Sequence, residues 1–207
     1  MTVPSNCDQI DNDGDGKYDM DDPECTTPCD DSEGSFLTDL PGQNQDCKND
    51  CYWDSDSGTG NDKCEYDMQC DPQNPGAQIN CEFDTECPAD IPQQCLDVCG
   101  PLIPNGCDCF GCCEVPNSGD PPQYIFLGGS SECSFDNLDG CTSCTFQEEC
   151  ANECVPEECE LCFGQDPDDL PEDCNEPECP DGVTSCLDTE DCPDGFFCLA
   201  GCCFSPE

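Results

Sequence analysis

Cysteine accounts for 29 of the 207 residues, and this content constrains the fold more than any other feature of the sequence. A cysteine content above roughly 8–10% in a short chain is typical of a disulfide scaffold. The usual core residues are scarce: Leu, Ile, Val and Phe together make up about 14% of the chain. Strongly charged chains with less than roughly 20% of these residues tend to be disordered. We therefore expect a small disulfide-rich fold in which crosslinks replace much of the apolar core.

The cysteines also indicate where the protein resides. Structural disulfides persist in oxidising compartments, so we expect a secreted, extracellular or cell-surface protein. The first residues, MTVPSNCDQ, have neither a basic nor an apolar signal region, and we expect that a signal segment was removed. The longest strongly apolar stretch, at 124–127, is far shorter than a bilayer span, so membrane insertion is not expected. Because 29 is an odd number, complete internal pairing would leave one cysteine over.

The charge of the chain is extreme. Fifty acidic residues face only Lys17, Lys48 and Lys63, which gives a formal net charge of −47. Nucleic acids are bound mainly through Lys and Arg, so no nucleic-acid partner is expected. The same negative charge attracts divalent cations. Repulsion among the acidic side chains also destabilises a compact chain. Calcium is therefore expected to matter for folding.

Regular secondary structure is predicted to be sparse. Gly, Pro, Asp and Asn interrupt every segment, which favours a mostly irregular chain with a few short β-strands and little helix. The best strand candidate is QYIFLG at 123–128, which lies between a Pro-Pro and a Gly-Gly pair. A short helical turn is expected within 146–153.

Four regions can be distinguished along the chain. We predict an Asp-rich calcium-binding loop at 1–30 and a disulfide-stapled body at 31–165. An acidic, proline-rich linker at 166–182 then leads to a small Cys-rich module at 183–207.

The strongest motif is DNDGDGKYDMDD at 11–22, which has the ligand spacing of a twelve-residue calcium loop. Gly16 falls at the sixth position, where the turn needs a residue without a Cβ. The twelfth position is Asp22, where sensor loops of the EF-hand type have a bidentate Glu. The predicted ligands are the side chains of Asp11, Asp13, Asp15, Asp19 and Asp22 and the backbone carbonyl of Lys17.

The residues around this loop exclude an EF-hand, because Cys7 precedes it and Pro23, Cys25 and Cys29 follow where a helix would be needed. The pattern D-x-D-x-D-G-x-x-D-x-x-D between cysteines resembles thrombospondin type 3 and dockerin-like calcium repeats. It also resembles the Cys-flanked DNDGDG segments of deltaproteobacterial surface proteins. The resemblance covers about 7–29 and implies a structural calcium site.

A second acidic loop is DSDSGTGND at 54–62, in which Asp54, Asp56, Asn61 and Asp62 surround two glycines. The spacing matches no strict template. Two interpretations stay open, a second calcium site and a hydrophilic Gly/Ser loop.

Two cysteine patterns offer alternatives to a plain scaffold. Three CxxC pairs occur, and two of them have nearly zinc-ribbon spacing, but histidine is absent and an oxidising compartment favours disulfides. Near the C-terminus, Cys186, Cys192 and Cys198 resemble the C-x5-C-x5-C part of the whey-acidic-protein core. The resemblance ends after Cys198 and implies protease inhibition as a minor alternative.

Catalysis is disfavoured by what the sequence lacks. With no His and no Arg, histidine-based acid–base chemistry and bidentate anion clamps are not available. We therefore expect a calcium-binding structural protein, such as a surface, matrix or filament subunit or a spacer, that self-associates or contacts a cell-surface partner. The competing class is a secreted binding module, either a protease inhibitor or an adhesion or glycan-binding protein.

Overall fold

Regular secondary structure is short in the part of the chain that the computed structural model describes. This part comprises residues 11, 13–14, 16–17, 22–25, 33–38, 40, 47–54, 58, 62–73, 81–86, 90–116, 118–156, 159–165, 170–171, 174, 179, 182–186, 191–193 and 195–204. It contains one α-helix, α1 (Gln93–Cys99). The strands are β1 (Lys48–Asn49), β2 (Tyr66–Asp67), β3 (Cys107–Asp108), β4 (Cys112–Glu114), β5 (Tyr124–Phe126), β6 (Thr142–Ser143), β7 (Ala151–Asn152), β8 (Phe197–Leu199) and β9 (Cys202–Phe204). The predicted fold class, disulfide-rich with short strands and little helix, is confirmed.

A five-stranded antiparallel sheet in the order β6-β5-β4-β3-β7 forms the centre of the body. The predicted strand at 123–128 contains β5, in which Ile125 is buried and pairs with Cys113. The predicted helical turn at 146–153 contains a 3-10 helix at Glu148–Cys150. Two further two-stranded sheets, β1-β2 and β8-β9, lie on either side of this sheet in the sequence.

Helix α1 was not predicted from the sequence. It starts directly after Pro92, a residue tolerated at a helix start because its missing N–H has no intrahelical partner there. Cys95 and Cys99 are one turn apart and buried, so the buried face of this helix is formed by cysteine. Their disulfides to Cys64 and Cys51 attach the helix to the preceding segments.

Twelve disulfides are described, and they fall into two groups along the chain. All six cysteines from Cys179 onwards pair with one another, so no disulfide joins this C-terminal group to the body. Nine bridges join described residues of the body: Cys47–Cys81, Cys51–Cys99, Cys64–Cys95, Cys107–Cys113, Cys109–Cys150, Cys112–Cys144, Cys133–Cys141, Cys154–Cys162 and Cys159–Cys174. The three C-terminal bridges are Cys179–Cys202, Cys186–Cys198 and Cys192–Cys203.

Cysteine supplies half of the main hydrophobic core. Eleven of the 22 buried residues in this cluster are cysteines, and most of the others are aromatic or β-branched. Phe36 is fully buried, and its ring contacts those of Phe135 and Phe163 at centroid distances of 4.7 and 5.7 Å. The core therefore combines sulfur and aromatic rings where an ordinary domain uses Leu, Ile and Val.

The turn between β3 and β4 requires glycine. Gly111 has a φ of +81°, and a Cβ at this position would lie 2.7 Å from the ring of Tyr52. Both the backbone conformation and the close approach of the ring disfavour any side chain. The Cys107–Cys113 disulfide closes the same hairpin across paired positions.

The C-terminal hairpin forms a small second cluster. A tight turn at Ala200 and Gly201, both with positive φ, joins β8 to β9. Phe197 and Phe204 pack in this cluster, and Trp53 contacts both it and the main core. The indole Nε1–H of Trp53 donates to the backbone carbonyl of Asp108 at 2.8 Å. Trp53 is thus a contact between the C-terminal hairpin and the body.

The predicted linker at 166–182 includes two disulfide-bonded cysteines. Cys174 pairs with Cys159 of the body, and Cys179 pairs with Cys202 of the C-terminal hairpin. The four predicted region boundaries stay predictions. Among the described residues, no helix is long and apolar enough to cross a bilayer.

Candidate metal site

Asp11 organises the described part of the Asp-rich loop. Its Oδ1 accepts the backbone N–H of Gly14 at 2.5 Å, and its Oδ2 accepts that of Gly16 at 3.1 Å. Gly14 and Gly16 have φ values of +91° and +103°, a conformation that side chains rarely allow. The glycine at the sixth loop position therefore lies in a turn that needs glycine, and the turn folds the backbone around the first acidic residue.

The structure brings Glu33 to this loop. Carboxylate oxygens of Asp11, Asp13 and Glu33 all lie within 4.8 Å of one another. Glu33 is only 2% exposed, whereas Asp11 and Asp13 are exposed. The chain approaches closely here, because a Cβ on Gly34 would lie 3.3 Å from the Cβ of Asp13. Three carboxylates form an all-oxygen donor set, which suits a hard cation such as calcium.

Glu33 was not predicted as a ligand, because it lies twenty positions after Asp13 and outside any twelve-residue template. The only signal in the sequence is an acidic residue directly before a glycine, and this is too common in such a chain to be informative. Its place near Asp11 and Asp13 depends on how the 33–38 segment packs.

The structure places none of the other predicted ligands that it describes in this carboxylate group. Asp22 is buried, and its Oδ1 accepts the N–H of Glu24 at 2.8 Å. It is not part of the group formed by Asp11, Asp13 and Glu33. Lys17 is half-buried. Asp15 and Asp19 lie outside the described residues.

Two segments next to the loop are attached to the body. The N–H of Phe36 donates to the carbonyl of Cys133, and the N–H of Gly128 donates to the carbonyl of Phe36, both at 2.8 Å. The carboxylate of Glu24 accepts the N–H of Phe135 at 3.4 Å. Glu33 therefore starts a segment that is fixed in the main core three residues later.

A second acidic group lies in the 54–62 loop. Carboxylate oxygens of Asp54 and Asp62 and the Sγ of Cys51 lie within 4.8 Å of one another. Cys51 is bonded to Cys99, so its sulfur is not a thiolate ligand. The Oδ1 of Asp62 accepts the N–H of Cys64 at 2.9 Å, and its Oδ2 is buried without a hydrogen-bond partner among the described residues. Asp56 and Asn61 lie outside those residues, and both interpretations of this loop stay open.

The zinc alternative for the CxxC pairs is wrong. In all three pairs, each cysteine forms a disulfide with a cysteine outside its own motif, so no thiolate is left to bind a metal. Strand pairing accounts for one of these bridges, because the pairing of β3 with β7 places Cys109 next to Cys150.

The C-terminal cysteines that resemble a whey-acidic-protein core are also disulfide-bonded. Cys186 is the first cysteine of the C-x5-C-x5-C pattern and pairs with the third, Cys198. Cys192 pairs with Cys203. Each bridge attaches one strand of the β8–β9 hairpin to the segment that precedes it. Comparisons of the chain with protein-family models, with curated sequences and with solved structures give no significant match.

Proposed function

We propose that this chain is an extracellular calcium-binding structural protein and that Asp11, Asp13 and Glu33 contribute to its calcium site. The observation that carries the proposal is the convergence of these three carboxylates from two separate segments. The disulfides of the body support an extracellular location, because such bonds persist in oxidising compartments.

Electrostatics support a cation at this group. Like charges a few Å apart repel each other, and burial strengthens the repulsion because the local dielectric is lower than that of water. Glu33 is almost completely buried, in a chain with a net charge of −47. A bound divalent cation would offset this repulsion.

Glu33 gives the proposed site a structural role. Asp11 and Asp13 lie in the N-terminal loop, whereas Glu33 leads into the segment anchored by Phe36. A cation held by all three residues would clamp the loop to the body. We infer that calcium orders the N-terminal segment and leaves the body, which has its own disulfides, folded.

Calcium titration calorimetry on the oxidised protein tests the site. We expect binding with a Kd on the order of 10⁻⁴–10⁻³ M, the range of extracellular modules. Asp13→Asn and Glu33→Gln should each weaken binding by roughly tenfold or more, since each removes one anionic ligand. Glu82→Gln is the matched control, because Glu82 is exposed and lies outside the group.

Two outcomes of the titration would count against the proposal in different ways. If millimolar calcium gave no binding heat, the calcium function itself would be wrong. If Asp13→Asn weakened binding and Glu33→Gln did not, the loop would bind calcium without the clamp to the body.

The structural role predicts that assembly depends on calcium. We expect light scattering to show self-association at millimolar calcium and dissociation on chelation, with every disulfide intact. The reason is that bound calcium orders the acidic loop and neutralises part of the negative charge by which the copies repel each other. A protein that stays monomeric at all calcium concentrations would favour the competing class, a secreted binding module.

A further inference from the structure

Asp108 is a buried carboxylate that no part of the proposed calcium site uses. It is 0% exposed and lies at the end of β3, where the chain enters the turn to β4. Its Oδ1 accepts the N–H of Phe110 at 2.8 Å and that of Cys112 at 2.9 Å. Its Oδ2 accepts the N–H of Gln147 at 3.0 Å. One side chain therefore holds both the β3–β4 turn and the start of the 3-10 helix at Glu148–Cys150.

The two oxygens of this carboxylate have unequal surroundings. Oδ1 accepts two N–H donors from its own hairpin, whereas Oδ2 accepts one donor from a segment 39 positions away. A proton added to the carboxylate is therefore best placed on Oδ2, since this disturbs one hydrogen bond and leaves two. A protonated carboxyl oxygen is a weaker acceptor than a carboxylate oxygen, so the bond from Gln147 would be the one to weaken.

The groups around Asp108 favour its neutral form. Asp71 acts on it with a negative charge, and Tyr66 also faces it across the core. Asp67 and Glu149 add negative charge around Tyr66, and Lys48 pairs with Asp67 at 3.6 Å. The pKa of the Asp108 carboxyl is raised to about 7, with burial as the largest cause; the three N–H donors lower it, and the charge of Asp71 raises it.

We propose that Asp108 is a proton-operated clamp, in which uptake of one proton from solvent at Oδ2 releases the Gln147 amide while Oδ1 keeps the β3–β4 turn in place. The proton forms an O–H bond at Oδ2 and neutralises the buried negative charge of the carboxylate. The segment that loosens leads to Cys150, whose disulfide to Cys109 keeps it attached to the hairpin. The response is thus local and reversible.

The effect on global stability has a definite sign. The folded-state pKa of about 7 lies above the value of about 3.9 for an unfolded Asp, so the folded chain binds the proton more tightly. The contribution of this group to stability is fully present below pH of about 4 and is lost as pH rises through about 7. Protonation therefore relieves the cost of a buried charge even as it weakens one hydrogen bond.

Amide hydrogen exchange followed by NMR between pH 5.5 and pH 8.5 tests the clamp, after correction for intrinsic exchange. We expect the protection factor of the Gln147 amide to fall by about fivefold to tenfold as Asp108 is protonated, the loss expected when a charge-assisted bond becomes a neutral one. The protection factors of the Phe110 and Cys112 amides should change less than twofold. The ¹³C shift of the Asp108 carboxyl should titrate over the same pH range.

Two variants separate the clamp from a general effect of pH. Asp108→Asn keeps an Oδ1 acceptor but presents an NH₂ group to Gln147, so Gln147 should be weakly protected at every pH. Asp71→Asn removes the neighbouring charge and should move the midpoint of the Asp108 titration to lower pH. If Asp108→Asn does not fold, the wild-type carboxyl and amide titrations still decide the question.

The clamp would be overturned by a carboxyl shift of Asp108 that stays constant over this pH range. It would also be overturned if Phe110 and Cys112 lost protection together with Gln147, since that is opening of the whole hairpin. Unchanged protection at Gln147 while the carboxyl titrates would show that the proton does not act on this contact.

Discussion

Reducing the disulfides should unfold the body at neutral pH without any denaturant. Half of the residues in the main core are cysteines, and the chain has only about 14% Leu, Ile, Val and Phe to hold a reduced core together. Each bridge contributes a typical 2–4 kcal/mol by restricting the unfolded chain, an entropic account that is model-dependent. Repulsion among 50 acidic residues would then expand the reduced chain.

Small-angle scattering before and after complete reduction measures this effect. The radius of gyration should rise from about 17 Å toward about 49 Å, the values expected for folded and unfolded chains of this length. Near-UV circular dichroism of the buried aromatic rings should be lost in parallel. A reduced protein that kept its radius and its aromatic signal would show that apolar packing alone is sufficient.

Individual bridges should differ in their contribution. Replacing Cys64 and Cys95 by Ser opens a loop with a sequence separation of 31 at two fully buried positions. The same change at Cys154 and Cys162 opens one with a separation of 8. The first pair should cost more unfolding free energy, both because its loop is longer and because it leaves polar hydroxyls in the core.

Phe36→Ala should lower the free energy of unfolding by about 3–5 kcal/mol, the usual effect of removing a buried phenyl ring. Phe36 is 0% exposed and packs edge-to-face on Phe135, so its loss leaves a cavity among aromatic rings. Denaturant unfolding of the oxidised protein measures the change. Phe83→Ala is the matched control, since Phe83 is 48% exposed and should lose less than about 0.5 kcal/mol.

The Phe36 variant also bears on the metal site. Phe36 fixes the segment that begins at Glu33, so its loss should weaken calcium binding without removing any ligand. An equal loss of stability in both Phe variants would mean that the 33–38 segment is not anchored as the structure has it.

Local sequence signals predicted the elements whose causes are local. The aromatic and β-branched residues at 123–128, bounded by a Pro-Pro and a Gly-Gly pair, predicted β5, since these side chains suit a half-buried strand. Helix α1 was missed because cysteine was counted only as a crosslinking residue. When cysteine is treated as a small buried apolar residue, Cys95 and Cys99 have the one-turn spacing of a helix face.

The disulfide pairing and the metal group depend on contacts between distant segments. Nothing in the CxxC spacing indicates that Cys109 pairs with Cys150, because the sheet register that joins β3 to β7 decides it. The same holds for Glu33, which lies near Asp11 and Asp13 in a segment whose Phe36 is hydrogen-bonded to the body. Asp108 is one of fifty acidic residues in the sequence, and only its burial together with its three backbone N–H donors distinguishes it.

The separation of the disulfides into two groups has a consequence for proteolysis. The last bridge of the body ends at Cys174, the first bridge of the C-terminal group begins at Cys179, and the intervening residues are Asn-Glu-Pro-Glu. One peptide-bond cleavage between these cysteines would leave the two fragments without any covalent connection, even in fully oxidised protein. Only noncovalent contacts such as that of Trp53 would then keep the C-terminal fragment bound. A protease that cut after an acidic residue there would thus make the attachment of this fragment depend on noncovalent contacts alone, even where no reductant is present.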